Sequence, residues 1–192
     1  MKSIFTSFLQ LFVVSLLLCN VAYAQSDTNE DSHTITITIP EVALLDIEPN
    51  ASKNISATFT HSDEAGDPLA APANNTSLWL NYSSILKAGG ATARAVTVSI
   101  TSGTAPGVSI KVVAGTATGG QGTLGTPTAQ VTLTGSAQSI ITGVGSAYTG
   151  DGASQGHQLT YAFEAADANY ANLRSNAGSP DVVTVAYTLA DN

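Results

Sequence analysis

A run in which every second side chain is apolar can bury one face and wet the other only as a β-strand. This chain carries that pattern near both ends. Val183, Val185, Tyr187 and Leu189 alternate with Thr184, Ala186 and Thr188, so residues 181–189 read as a strand. The preceding Asn-Ala-Gly-Ser-Pro cluster at 176–180 supplies its turn. Ile35, Ile37 and Ile39 alternate with Thr34, Thr36 and Thr38, which predicts a strand over residues 34–39. Pro40, which cannot donate to a ladder, stops it.

Between these two lie further short segments of the same kind. Residues 42–47 continue after a bend, with a turn at 48–50, and 55–60 predict a weaker strand. Residues 61–75, with Gly66, Pro68 and Pro72, read as a long loop. In 78–82, Leu78, Leu80 and Tyr82 face one way and Trp79 the other. Val96, Val98 and Ile100 predict a strand that forms a hairpin with 108–113 through the Ala105-Pro106-Gly107 turn. The glycine-rich 115–125 reads as a loop or irregular hairpin end, and 131–133 and 140–141 as two short strands. A turn region at 148–156 precedes the alternation of Leu159, Tyr161 and Phe163. Phe163, Ala166, Tyr170 and Leu173 then fit a helical stripe, so one short helix is expected near 163–173. The expected fold is all-β: a single immunoglobulin-like β-sandwich of short, mainly antiparallel strands.

The first residues have another purpose. A basic start at Lys2, an apolar run over 4–18 and the small-x-small Ala22-Tyr23-Ala24 together predict a signal peptide over residues 1–24, cut before Gln25. Residues 25–32 form a polar leader and 33–192 the sandwich domain. Leu18 before Cys19 is too large for a lipoprotein cleavage box, and the apolar run is too short for a membrane span, so no span is expected once the signal is removed. The only cysteine, Cys19, leaves with the signal, which excludes disulfides and thiolate chemistry in the exported chain. Lys2 leaves too, so 5 basic residues face 14 acidic ones. With no basic patch, no nucleic-acid partner is expected. The expected location is exported: periplasm, cell surface or extracellular.

Several patterns invite a chemical reading, and each has a plainer one. Gly152-Ala153-Ser154-Gln155-Gly156 matches G-x-S-x-G, but a nucleophile elbow joins a strand to a helix and here a strand pattern follows. No histidine lies beyond His157 to complete a triad in that order. Gly120-Gln121-Gly122-Thr123-Leu124-Gly125 matches G-x-G-x-x-G, yet no helix opens after it to hold a phosphate. His33, His61 and His157 lack zinc spacing. Asp63, Glu64 and Asp67 beside Gly66 form an acidic loop without the ligand spacing of a calcium hand, and calcium stays open there. Asn50, Asn54, Asn74, Asn75 and Asn81 each begin an N-x-S/T triplet. Trp79, Tyr82, Tyr148, Tyr161 and Tyr170 are the aromatics from which a sugar platform could be built. No catalytic residue, cofactor site or metal site is expected, and the protein is read as a non-enzyme.

The signal peptide, the Thr/Ile strand at 34–39 and the closing strand with Tyr187 together loosely resemble exported bacterial fimbrial and surface subunits with immunoglobulin-like sandwiches. In such subunits an N-terminal alternating strand completes the sheet of a neighbour. The resemblance implies a structural or adhesive surface subunit that assembles by β-strand addition, with copies of itself or other surface subunits as partners. The chain departs from that pattern in lacking a cysteine pair, in having no glycine within 34–39 and in carrying five residues after Tyr187. The alternative function is a monomeric secreted binding module for carbohydrate or another surface polymer.

Overall fold

The computed structural model describes residues 29–192. The expected signal peptide lies outside the described residues. The chain divides into two units, Met1–Thr38 and Ile39–Asn192. In the first, residues 30–38 carry no hydrogen-bonded strand and every one is exposed. The expected strand at 34–39 is therefore corrected. A period-two pattern shows which face a segment would bury, but a strand exists only when an edge pairs with it.

The second unit is all-β, with nine strands: β1 Val42–Glu48, β2 Asn75–Ile85, β3 Arg94–Ser102, β4 Val108–Ala114, β5 Gln121–Pro127, β6 Val131–Thr132, β7 Gln138–Tyr148, β8 His157–Ala165 and β9 Thr184–Asp191. All described pairings are antiparallel. The nine strands form one continuous hydrogen-bonded sheet with two limbs whose inner residues share one core, a β-sandwich-like arrangement. One runs β6-β4-β8-β2-β1 and the other β5-β7-β3-β9. β2 belongs to both, because its first half pairs with β8 and its Ser83 and Ser84 pair with Tyr148 and Ala147 of β7.

The alternation explains the core. Leu78, Leu80 and Tyr82 on β2, and Val96 and Val98 on β3, are all buried while Trp79 and Thr97 are not. Ile140, Ile141 and Leu159 have no exposed surface. Burial of each such side chain contributes about 1.5–3 kcal/mol, so this layer dominates the favourable side of folding. Tyr161 on one limb meets Tyr187 on the other through their hydroxyls, and burial pushes both phenols above their ordinary pKa.

Several local expectations change. Residues 55–60 form no strand; Thr60 makes one bridge to Ala70 inside the connection between β1 and β2, which already pair with each other. The 96–101 and 108–113 strands exist but form no hairpin: β3 pairs with β7 and β9, and β4 with β6 and β8. Turn chemistry at 105–107 reverses the chain, and the limb it returns to is chosen by the core. Part of the glycine-rich 115–125 becomes β5, an edge strand on β7. Its glycines are needed there: at Gly120 (φ +78°) a Cβ would lie 2.2 Å from Tyr148 O, and at Gly122 (φ +90°) 2.2 Å from Ser146 O. The expected short helix is a 3₁₀ segment, Asp167–Asn172, with no side chain capping it.

Candidate functional site

Five strands in sequence of pairing, β1-β2-β7-β3-β9, form a path with β1 at one end and β9 at the other. Arg94, the first residue of β3, draws those ends together. Its side chain is 3% exposed. Nε donates to Asp191 Oδ1 on β9 at 2.9 Å, and Nη2 donates to Glu41 Oε1, just ahead of β1, at 2.6 Å. The two hydrogens of Nη1 are shared among three acceptors: the carbonyl of Val42, Ser84 Oγ at 3.1 Å and Ile85 O at 3.3 Å. A planar guanidinium can satisfy five acceptors in fixed directions, which a lysine cannot.

Beyond this clasp the two strands do not pair with each other: among the described pairings β1 bonds only to β2 and β9 only to β3. Their inward side chains are incompletely covered. Leu45 and Ile47 on β1, and Val185, Tyr187 and Leu189 on β9, pack on the core yet stay half-buried. Central-strand residues in the same phase, Val96 and Val98, are fully buried. Two of the edge strands, β1 and β9, are thus lined by incompletely covered apolar residues at period two, the arrangement an added strand would cover. In the first unit, Ile35 and Ile37 are 76% and 79% exposed, and Ile39, which opens the second unit, is 73% exposed.

The motif residues fall elsewhere. Ser154 sits at φ 69° on the turn between β7 and β8, closed by Gln155 N bonding Gly152 O at 3.3 Å, and β8 follows it directly. His157 is fully buried and its ring is engaged away from Ser154: Nδ1 meets Gly115 O at 2.8 Å and Nε2 meets Tyr82 Oη at 2.9 Å. A carbonyl only accepts, so Nδ1 carries the proton. Tyr82 Oη also contacts Leu124 O, so one phenol proton serves two acceptors. Burial lowers the His157 pKa, with the carbonyls of Gly115 and Leu124 opposing, and burial raises that of Tyr82.

The acidic loop is held by its own backbone and hydroxyls. Ser62 Oγ donates to Asp67 Oδ2 at 3.0 Å and accepts from Glu64 N at 3.1 Å. Among the described residues no group of three or more His, Cys, Asp or Glu side chains is placed to hold a metal. His61 Nδ1 lies 3.8 Å from Asp63 Oδ1, while His33 is exposed. Among the five N-x-S/T asparagines, Asn50, Asn54 and Asn74 are exposed, Asn75 is half-buried and Asn81 is buried. Of the aromatics, Tyr82 and Tyr161 are in the core, Trp79 is half-buried, and Tyr148 and Tyr170 are exposed.

A second feature lies on the outer face of β1, β2 and β7. Leu44, Asp46, Asn81, Ser83, Tyr148 and Asp151 line a cleft of about 440 Å³. Asn81 is 4% exposed; Nδ2 donates to Gln155 O at 2.7 Å, and Oδ1 has no hydrogen-bond partner. Gln155 O only accepts, so the amide cannot be reversed to relieve that oxygen.

Two of these features escaped the sequence reading. Arg94 left a signal, since it stands in the same phase as Val96 and Val98, and a charge at an inward position must be paired. Asn81 left none: it is out of phase with Leu80 and Tyr82, and the 149–156 turn folds over it. Among the described residues no helix is long and apolar enough to cross a membrane. Comparisons with protein-family models, with curated proteins and with solved structures find no match.

Proposed function

We propose that the protein is an exported structural or adhesive surface subunit, without enzymatic activity, that assembles by β-strand addition. The observation that carries this reading is the alternating segment at 34–39, whose three isoleucines are 73–79% exposed. Residues 34–39 of one copy pair along a free edge of the next, β9 on one side and β1 on the other. Backbone groups gain ladder partners while the isoleucines cover Val185, Tyr187 and Leu189. Full burial of three isoleucines contributes roughly 5–8 kcal/mol before ordering costs, enough to hold such a joint. Partners are therefore copies of the chain or other surface subunits that present the same kind of strand.

The test is a chain beginning at Glu41, which keeps the Arg94 clasp and lacks the segment. It should fold, remain monomeric, and gain thermal stability when a peptide of residues 34–39 is added. A peptide with the isoleucines and threonines permuted out of alternation should give no gain. Indifference to the native peptide overturns strand addition.

A further inference from the structure

We propose that the backbone ladder of the assembly is made on β9 alone, antiparallel and in one register, with residues 34–39 of one copy along residues 185–190 of the next. This rests on the strand-addition reading above and fixes which edge receives the segment.

Four strands of the sheet have a neighbour on one side only: β1, β5, β6 and β9. An edge is kept from pairing with other chains by shortness, charge, proline or a bulge. β6 has two residues, Val131 and Thr132. β5 breaks register between Gly122 and Leu124, takes positive φ at Gly122 and Gly125, and ends on Pro127. β1 carries Asp46 and Glu48, and Lys53 Nζ is held 2.8 Å from Asp46 Oδ1. β9 has none of these features: from Thr184 to Ala190 it carries no charge, proline or glycine. The irregularity in its pairing with β3 inserts Thr101 on the β3 side and leaves β9 itself regular.

Register follows from matching faces. Val185, Tyr187 and Leu189 of β9 pack on the core and stay half-buried, while Thr188 and Ala190 are exposed. Every described pairing in the molecule is antiparallel, the more stable ladder per residue. Setting Ile37 opposite Tyr187 places Ile35 opposite Leu189 and Ile39 opposite Val185. Thr36 then meets Thr188, a favourable cross-strand pair. A slip of one residue turns the isoleucines to the solvent face. A slip of two sets Ile35 against Asp191, which Arg94 holds, or Ile39 against Val183, which precedes the strand. Both partners also stop together. Pro40, which has no N–H, falls opposite Thr184, the first residue of β9.

Hydrogen exchange read by mass spectrometry on the full chain and on its Ile37→Asp variant tests the choice of edge. Residues 34–39 and 184–190 should exchange about tenfold or more slowly in the parent, with 42–48 the same in both. Slowing at 42–48, with or without 184–190, overturns the assignment to β9 and leaves strand addition standing. Slowing at neither strand overturns both. The register is read by mixing copies that each carry Cys19→Ser, Cys19 being the only cysteine. Thr36→Cys in one copy should form a disulfide with Thr188→Cys in the other, because opposed Cβ atoms lie within reach and diagonal ones do not. A disulfide formed preferentially with Ala186→Cys or Ala190→Cys, or with none of the three, overturns the register.

Discussion

Arg94 and Asp191 are separated by 97 positions and joined by a 2.9 Å hydrogen bond that ties the first residue of β3 to the last of β9. The same guanidinium reaches Glu41 and the Val42 carbonyl, so one side chain fixes both ends of the sandwich's open side. Arg94→Met should destabilise the fold by about 2–4 kcal/mol, because the carbonyls of Val42 and Ile85 lose their charged donor. Glu41→Gln should cost about 1 kcal/mol or less, since Glu41 is exposed and the guanidinium keeps Asp191. Urea unfolding of the two variants measures the difference; equal losses would show that the clasp is not centred on the arginine.

Ile37→Asp separates folding from assembly. The side chain is 79% exposed, so unfolding stability should change by no more than about 0.5 kcal/mol. Assembly should be lost, because a carboxylate would have to enter the apolar strip beside Tyr187. Thermal unfolding and size-exclusion chromatography on the same sample check both halves. A variant that assembles like the parent contradicts strand addition through this segment.

His157 predicts a loss of stability on mild acidification. Its folded-state pKa lies below the ordinary 6.5 because burial favours the neutral ring. Above 6.5 neither state holds the extra proton, so this stabilisation is fully present. As pH falls below 6.5 the unfolded chain takes the proton first, and stability declines until the folded-state pKa is passed. Unfolding free energies measured between about pH 7.5 and 5.5, where histidine titrates, should show that slope in the parent and lose it in His157→Gln. An unchanged slope in the variant would assign the effect to other groups.

The two glycine-bearing motifs should differ in what they do for stability. Gly122→Ala forces a Cβ to 2.2 Å from Ser146 O at positive φ, and should destabilise by about 2 kcal/mol or more. Ser154→Ala should be neutral within about 0.5 kcal/mol and should leave any ligand response unchanged, because the side chain is exposed on a turn. Labelling of Ser154 by a fluorophosphonate probe would contradict the inert reading of that serine.

Period two by itself determined the all-β class and most of the strands, since alternation at Val96 and Val98 or at Leu159 and Tyr161 is a local property of the chain. It also marked the isoleucines at 35, 37 and 39 as a face that seeks cover. Local pattern carries no information about partners, and there the tertiary structure decided. It sent the strand after Pro106 to the other limb and made an edge strand of glycines that look like a loop. It left the most regular alternation in the chain without a ladder among the described residues. Arg94 and Asn81 show the same division. Inward phase made the arginine's burial legible in principle. The asparagine's burial depends on a turn more than seventy residues away closing over it, and no spacing within β2 encodes that.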